Sequence, residues 1–320
     1  MPITVVGSIA YDAVKTPFGE RKRMLGGAAV HFALAASFFE EVRVVGPVGE
    51  DFGEQQLEVL RRRGVDVCDV ERLPGRTFFW HGEYGWDLNS RETIDTQLGV
   101  FEGFQPKLSE RSRSSDVLFL ANIQPGLQRE VRSQLPDARF VALDSMNLWI
   151  EIEREQLLAA VREVDCLILN DAELRQLTGK PNLVSAGREV LAWGAREQEG
   201  GRRGPSVVVA KQGEYGAALI TAESFFALPA YPLETVIDPT GAGDSFAGGL
   251  VGYIAAHPGE ELSEALLRRA MAYATVLASF NVEEFGTDRV ARLTGGEIVE
   301  RIQELRSMTQ FTGAPLKLRW

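Results

Sequence analysis

Hydrophobic residues in this chain gather in two kinds of stretch. Residues 3–9, 43–48, 116–121, 139–144, 166–169 and 206–210 are short, nearly unbroken apolar runs. Such runs read as strands buried on both faces. Between them, residues 25–38, 50–63, 126–134 and 151–163 read as helices, and a helix-like apolar segment runs through Ile254. Gly64 stands where a glycine closes a helix, and Arg61-Arg62-Arg63 make the solvated end of that helix, favoured by its dipole. Strands alternating with helices predict an α/β fold: a doubly wound, mostly parallel sheet flanked by helices.

One region breaks the alternation. Residues 77–84 and 92–100 follow period two and are rich in aromatic and β-branched side chains, with Gly85, Asn89 and Ser90 as turn signals between them. That pattern predicts a hairpin, a small β lid beside the main sheet. Residues 197–205 read as a solvated loop, and no repeat, low-complexity tract or long linker divides the chain. A single domain over residues 1–320 is expected.

Composition removes several function classes. The chain carries 45 acidic and 34 basic side chains, a net charge of −11, so a nucleic-acid-binding surface is not expected. Cys68 and Cys166 form no framework of bridges and suit a reducing compartment. The start, Met1-Pro2-Ile3-Thr4-Val5-Val6-Gly7, has no signal-peptide pattern, and no apolar run reaches membrane-spanning length. A cytoplasmic protein with no membrane partner is expected. His31, His81 and His257 are too scattered for a metal site, and no Gly-x-Ser-x-Gly stretch supports a serine hydrolase.

The chemistry concentrates in Asp238-Pro239-Thr240-Gly241-Ala242-Gly243-Asp244-Ser245-Phe246-Ala247-Gly248-Gly249-Leu250. Small residues at a helix start let backbone N–H groups converge on an anion, and Asp244 would lie beside it as a base for a hydroxyl. Asp12 follows the first strand, where open α/β sheets bind ligands, and is a candidate for gripping substrate hydroxyls. Gly26-Gly27 opens an Ala-rich helix, so a ligand can approach its backbone closely. His31, one turn inside that helix, is either a core residue or a substrate contact. Asn170-Asp171-Ala172-Glu173 has the spacing of a capping box. Gly213 and Gly216 either contact a nucleotide or merely form the turn between two strands.

Taken together, these residues resemble the ribokinase-like carbohydrate kinases, the PfkB family, from Gly7 to about Gly286. The resemblance implies one ribokinase-like domain, with lid strands from about residues 11–24 and 76–104. It implies Asp244 as catalytic base and the amides of Gly241, Ala242 and Gly243 as anion hole. Asn170 and Glu173 match the family's Asn-x-x-Glu motif, which organises Mg2+ and the phosphates of ATP, usually through water. Lys211, Gly213 and Gly216 fall in its nucleotide turn, and Asp238 and Thr240 fall where many members hold a monovalent cation such as K+. Asp12, Gly26 and Gly27 align with the sugar-binding positions. Ala10, Ala28 and His31 replace polar residues of ribokinase itself, which argues against ribose as the acceptor.

The resemblance therefore implies ATP-dependent phosphorylation of a hydroxymethyl group on a sugar or sugar-like molecule. A nucleoside kinase of the same family is the nearest alternative, with Phe79, Trp80, Tyr84 and Trp86 as candidates to stack a base. A silent sugar-binding regulator on this fold is the alternative from another class, and the intact Asp244 region speaks against it. An oxidoreductase would need a Gly-x-Gly-x-x-Gly turn after the first strand, which is missing. A β lid with open edges suggests a homodimer through the lids.

Overall fold

The computed structural model describes residues 1–195, 204–310 and 313. Of the loop expected over 197–205, only Gly204 and Pro205 lie among the described residues. The strands are β1 (Ile3–Val6), β2 (Ala10–Thr16), β3 (Gly19–Gly26), β4 (Val42–Val48), β5 (Asp66–Arg72), β6 (Phe78–Tyr84), β7 (Arg91–Gln97), β8 (Val117–Leu120), β9 (Phe140–Asp144), β10 (Cys166–Asn170), β11 (Val207–Lys211), β12 (Ala217–Ile220) and β13 (Phe225–Leu228). Nine form one sheet in the order β13-β12-β11-β10-β9-β8-β1-β4-β5. Neighbours from β11 to β5 pair in parallel, and β12 and β13 close the other edge antiparallel.

The unbroken apolar runs are explained by burial on both sides of this sheet. Successive side chains point to opposite faces. Ile3, Val5, Phe119, Ile168 and Val209 join one core, beneath the helices Ala28–Ala36, Ala242–Ala255 and Glu264–Asn281. Val6, Leu118, Leu120, Leu169 and Val208 join the other, beneath Pro125–Gln134, Arg154–Val161, Asp171–Thr178 and Leu183–Ala195. Each core holds strand residues of one parity, so a one-residue slip in register would exchange both sets. Phe32 stacks on Phe119 with centroids 4.1 Å apart, tying a helix to the central strands.

The Gly248-Gly249 pair has a packing cause. A Cβ on Gly248 would lie 2.4 Å from the Phe32 carbonyl oxygen, and one on Gly249 would lie 2.8 Å from Ala274 Cα. Ala242–Ala255 is the middle helix of its layer, squeezed against both neighbours. Its start is thereby held firmly over the carboxyl ends of the strands.

The second sheet has the order β3-β2-β6-β7. The expected hairpin is β6 with β7, and it is extended by parallel pairing of β6 with β2. Its strands fall within the two segments expected for the lid, apart from the first residue of β2 and the end of β3.

Four details differ from the sequence reading. The first strand stops at Val6, because the chain leaves the large sheet at Gly7 and enters β2 at Ala10. The second helix starts at Glu54 rather than residue 50, since Asp51 accepts from the Thr77 amide and hydroxyl, both at 2.7 Å. The helix expected over 151–163 is two, Asn147–Ile152 and Arg154–Val161, parted at Glu153 (φ −131°, ψ 32°). Strands β5 and β13 went unrecognised; both are sheet edges, β5 polar along most of its length and β13 a four-residue run with Phe225 exposed. No helix among the described residues is long and apolar enough to cross a membrane.

Candidate active site

The carboxyl ends of the parallel strands carry the polar residues. Strands β9, β10 and β11 end at Asp144, Asn170 and Lys211, and Asn170 pairs with Lys211 in register. The apolar strand stops where its last side chain can leave the core. Ligands of open α/β sheets bind at such ends.

The central feature is the start of helix Ala242–Ala255. Gly241 sits at its N-cap with φ +75°, a left-handed conformation natural to glycine. The His31 ring lies directly beneath, where a Cβ on Gly241 would come within 2.3 Å of Nδ1. The Ala242 amide already donates to the Pro239 carbonyl at 3.2 Å. The Gly241 and Gly243 amides have no hydrogen-bond partner among the described residues. Two of the three expected anion-hole donors thus stand open, while Ala242 is occupied in shaping the turn. Lys211 completes the cradle: its Nζ lies 2.9 Å from where a Cβ on Gly243 would be. It points at the helix start rather than into the turn that follows β11.

Asp244 stands in the first turn of this helix. Its carboxyl is pushed up to about 7, first by burial and then by the charge of Asp144, with Lys211 opposing and Glu173 adding to the rise. Lys211 donates to Asp144 Oδ2 at 2.9 Å. Burial works against the Lys211 ammonium, but Asp144, Glu173 and Asp244 outweigh it and raise its pKa. Asp144 was missed by the sequence reading. Its signal was available, a lone acid closing an apolar strand, as Asn170 and Lys211 also do.

Asn170 and Glu173 form the capping box that their spacing predicts. Asn170 Oδ1 accepts from the Glu173 amide at 2.7 Å, and Glu173 Oε2 from the Asn170 amide at 2.9 Å. Burial, then the Asp144 charge, pushes the Glu173 carboxyl up to about 7, against the pull of Lys211. Among the described residues no cluster of three or more His, Cys, Asp or Glu is placed to hold a metal by itself. A site of this kind suits Mg2+, which keeps several waters and binds through one or two carboxylates and substrate phosphates.

Gly213 (φ +57°) and Gly216 (φ +99°) flank the short turn Gly213–Tyr215 after β11. The Gln212 amide donates to the Gly216 carbonyl at 2.8 Å, so turn geometry alone accounts for these glycines. Asp238 is fully buried and accepts from the Thr240 amide and the Gly286 amide, each at 2.9 Å. Backbone dipoles are its recorded partners, an environment that a monovalent cation would neutralise.

Asp12 lies in β2, inside the small sheet, and is 5% exposed. Its carboxylate rests on Gly26, where a Cβ would collide with Oδ2 at 1.9 Å. Burial first, then the charges of Asp238 and Asp244, push it up to about 7, while the Gly27 amide holds it down. The amides at the start of helix Ala28–Ala36 are not open to a ligand as expected. Ser8 takes both: its Oγ accepts from Ala28 at 3.0 Å and its carbonyl from Ala29 at 3.1 Å.

His31 is 2% exposed, and burial lowers its pKa, so its ring is neutral. Asn281 was missed entirely, because nothing at that sequence position marks it. Its Nδ2 donates to the Thr240 carbonyl at 2.7 Å. Its Oδ1 is 2.9 Å from His31 Nδ1 and accepts from Ser245 Oγ at 3.0 Å. This arrangement puts the proton on Nδ1 and leaves Nε2 as an acceptor. Nε2 is buried without a partner among the described residues.

Four aromatics were candidates to stack a base, and the sheet sorts them. Trp80 pairs with Asp12 in register and so shares its face, and its ring lies across Gly82. Tyr84, on the same face, meets Thr240 Oγ1 at 3.1 Å. Phe79 turns to the opposite face, where with Tyr11 and Arg23 it lines a separate cavity of about 160 Å3. Trp86 is 89% exposed at the hairpin turn. Two of the four therefore face the site.

Two outcomes follow from this geometry. An acid whose pKa is raised in the folded state destabilises the fold above that pKa and is neutral in effect below its unfolded value. Asp12→Asn should therefore raise the Tm at pH 8 by about 2–4 °C. The gain should shrink below about pH 7 and vanish near pH 4. Thermal melts across that range check it, and a gain that grows on acidification would contradict the assignment. Asn281→Ala should cost about 1–3 kcal/mol by leaving buried partners unsatisfied. Chemical denaturation giving wild-type stability would deny the clamp.

Comparison with known proteins agrees with the fold. Residues 3–292 match the model of the pfkB family carbohydrate kinases. The chain is 31% identical over 277 residues to a cytidine kinase of Thermococcus kodakarensis, covering 84% of this chain and 95% of that protein. It is 35% identical over 322 residues to a nucleoside kinase of Methanothermobacter thermautotrophicus, covering 93% and 94%. In fold it resembles the nucleoside kinase of Methanocaldococcus jannaschii, an archaeal member of the ribokinase family. That match has a TM-score of 0.74 and 19% identity, over 95% of this chain and 98% of that one. With its ribokinase-like sheet, an Asp244-bearing helix start and a family match over most of its length, the chain belongs to the pfkB family of carbohydrate kinases and is an ATP-dependent kinase.

Proposed function

We propose that this kinase phosphorylates the hydroxymethyl group of a nucleoside, held between the small sheet and the start of helix Ala242–Ala255. The observation that carries the acceptor choice is the Trp80 ring lying over Gly82 on the face that also bears Asp12. An aromatic plane at that position suits a base, and aromatic stacking is worth about 1–3 kcal/mol per base. A free sugar offers that ring only C–H faces, whereas a base offers a full π-face to stack on it. The curated relatives, a cytidine kinase and a nucleoside kinase, support the same choice over the free sugar.

In this reading Asp12 and the Gly26-Gly27 backbone grip the sugar hydroxyls, and His31 Nε2 accepts a hydrogen bond from one of them. Asp244 takes the proton of the attacking hydroxyl. The oxygen bonds to the γ-phosphorus as the bond from phosphorus to the bridging oxygen breaks, and ADP leaves with that electron pair. The Gly241 and Gly243 amides and Lys211 stabilise charge on the transferring group, where preorganised donors act most strongly. Asn170 and Glu173 would hold Mg2+, which would supply positive charge to the phosphates, and Gly213 and Gly216 border the nucleotide. Asp238 and Thr240 would hold a monovalent cation such as K+, whose charge would offset that of the buried Asp238 carboxylate.

Asp244→Asn should lower turnover by about 10²–10⁴-fold while the protein stays folded. Near-normal turnover by that variant would end the mechanism. In a thermal-shift panel with a non-hydrolysable ATP analogue, cytidine and other nucleosides should stabilise the protein more than ribose, fructose or other free sugars. A sugar that outperforms every nucleoside would reverse the acceptor assignment.

We also infer a homodimer through the small sheet. Strands β3 and β7 are its edges; Ile94 of β7 is 47% exposed, and Phe18, in the turn that leads into β3, is 53% exposed. Unpaired edges of this kind favour strand-to-strand association. Sedimentation at micromolar concentration should give twice the 35.2 kDa chain mass, and a monomer would refute the inference.

A further inference from the structure

The phosphoryl site as described is short of positive charge. Asp12, Asp144, Glu173 and Asp244 lie about it, and the ammonium that meets its helix start among the described residues, Lys211, is already bonded to Asp144. A transferring phosphoryl group spreads negative charge over its oxygens, and Mg2+ offsets only part of it. A further cation is therefore expected near the cradle.

The small sheet carries one. Arg91 is the first residue of β7 and pairs in register with Tyr84, the last of β6. Paired residues share a face, so Arg91 stands on the side that Tyr84 presents to Thr240. Its guanidinium lies beside the Tyr84 hydroxyl and 5.4 Å from the centre of the Trp80 ring. Its charge also reaches the Glu173 carboxyl, on the opposite wall. Arg91 has no ion-pair partner among the described residues. The hairpin that bears it is pinned at two points. Tyr84 meets Thr240 at 3.1 Å, and Asn89 Nδ2 donates to Glu214 Oε1 at 3.0 Å, in the turn after β11. Arg91 stands on the hairpin that these two contacts hold against the site.

We propose that Arg91, delivered by the small sheet, binds the transferring phosphoryl group and stabilises its charge in the transition state. A planar guanidinium presents a fork of donors matched to phosphate oxygens. Because it comes from the sheet that covers the acceptor, the full charge complement is assembled only when that sheet is down. Phosphoryl transfer to water from an uncovered site is thereby disfavoured.

The proposal rests on the phosphotransfer reading, and the test separates the two. Wild type and Arg91→Ala are melted with Mg2+ and ADP, then with aluminium fluoride and each panel nucleoside added to form a planar phosphoryl mimic. Wild type should gain a further rise in Tm from the mimic. Arg91→Ala should match wild type without ligand and with ADP, since Arg91 is exposed, but lose most of the further rise. Its turnover should fall about 10²–10³-fold with little change in acceptor KM, Arg91→Lys recovering part. Added guanidinium ion should restore some activity to the alanine variant only. A full mimic shift in Arg91→Ala, or turnover within about threefold of wild type, would overturn the role of Arg91. No mimic shift in wild type with any nucleoside would overturn the proposed phosphotransfer to a nucleoside.

Discussion

The Asn281 carboxamide joins the parts on which the site depends. It comes from the end of helix Glu264–Asn281, grips the carbonyl of Thr240, and accepts from Ser245 on the helix that Thr240 precedes. Through His31 it reaches a third helix, whose imidazole lies under Gly241. A buried amide leaves no room for slack, since an unmet donor or acceptor there costs about as much as a hydrogen bond contributes. The Thr240 carbonyl is thus occupied and turned away from the cradle. What remains at the helix start is the pair of open amides at Gly241 and Gly243.

Around that fixed point the charges are balanced closely. Asp144 keeps Lys211 protonated and aimed at Gly243, yet the same charge raises Asp244 toward neutrality. Three carboxyls, those of Asp12, Glu173 and Asp244, are each held near 7 by burial before any other cause. Such groups exchange protons at ordinary pH, a condition suited to a base that must both take and release one. Bound Mg2+ and phosphates would change that balance again, because the ions become the largest local charges.

The small sheet is anchored to the main core by Tyr11, Leu25 and Phe79, while its β6–β7 hairpin end meets the site through polar side chains. Tyr84 to Thr240 and Asn89 to Glu214 are polar contacts near the protein surface, each of modest strength. Contacts of that size can be made and broken within a catalytic cycle. The two faces of the sheet have separate tasks: Asp12, Trp80 and Tyr84 look inward, while Tyr11 and Phe79 line the cavity behind.

Much of this was legible in the residues. Unbroken apolar runs announce strands buried on both sides, and that period survives any detail of packing. The Asp238 to Leu250 stretch pointed to open amides beside a carboxylate, because small residues at a helix start leave room for a ligand to approach the backbone. Edge strands such as β5 escaped, since an edge needs no continuous apolar run. Asn281 and Asp144 escaped because their importance lies in what they meet, Thr240 and His31 in one case and Lys211 in the other, all far away in sequence. The same holds for Arg91, which reads as one more charge in a polar hairpin until register places it beside Tyr84. The sequence by itself determined the layered fold and the local chemistry of the helix start. Only the tertiary structure decided which amides stay open, which aromatics face the acceptor, and which charges meet, because those depend on long-range packing that no local pattern encodes.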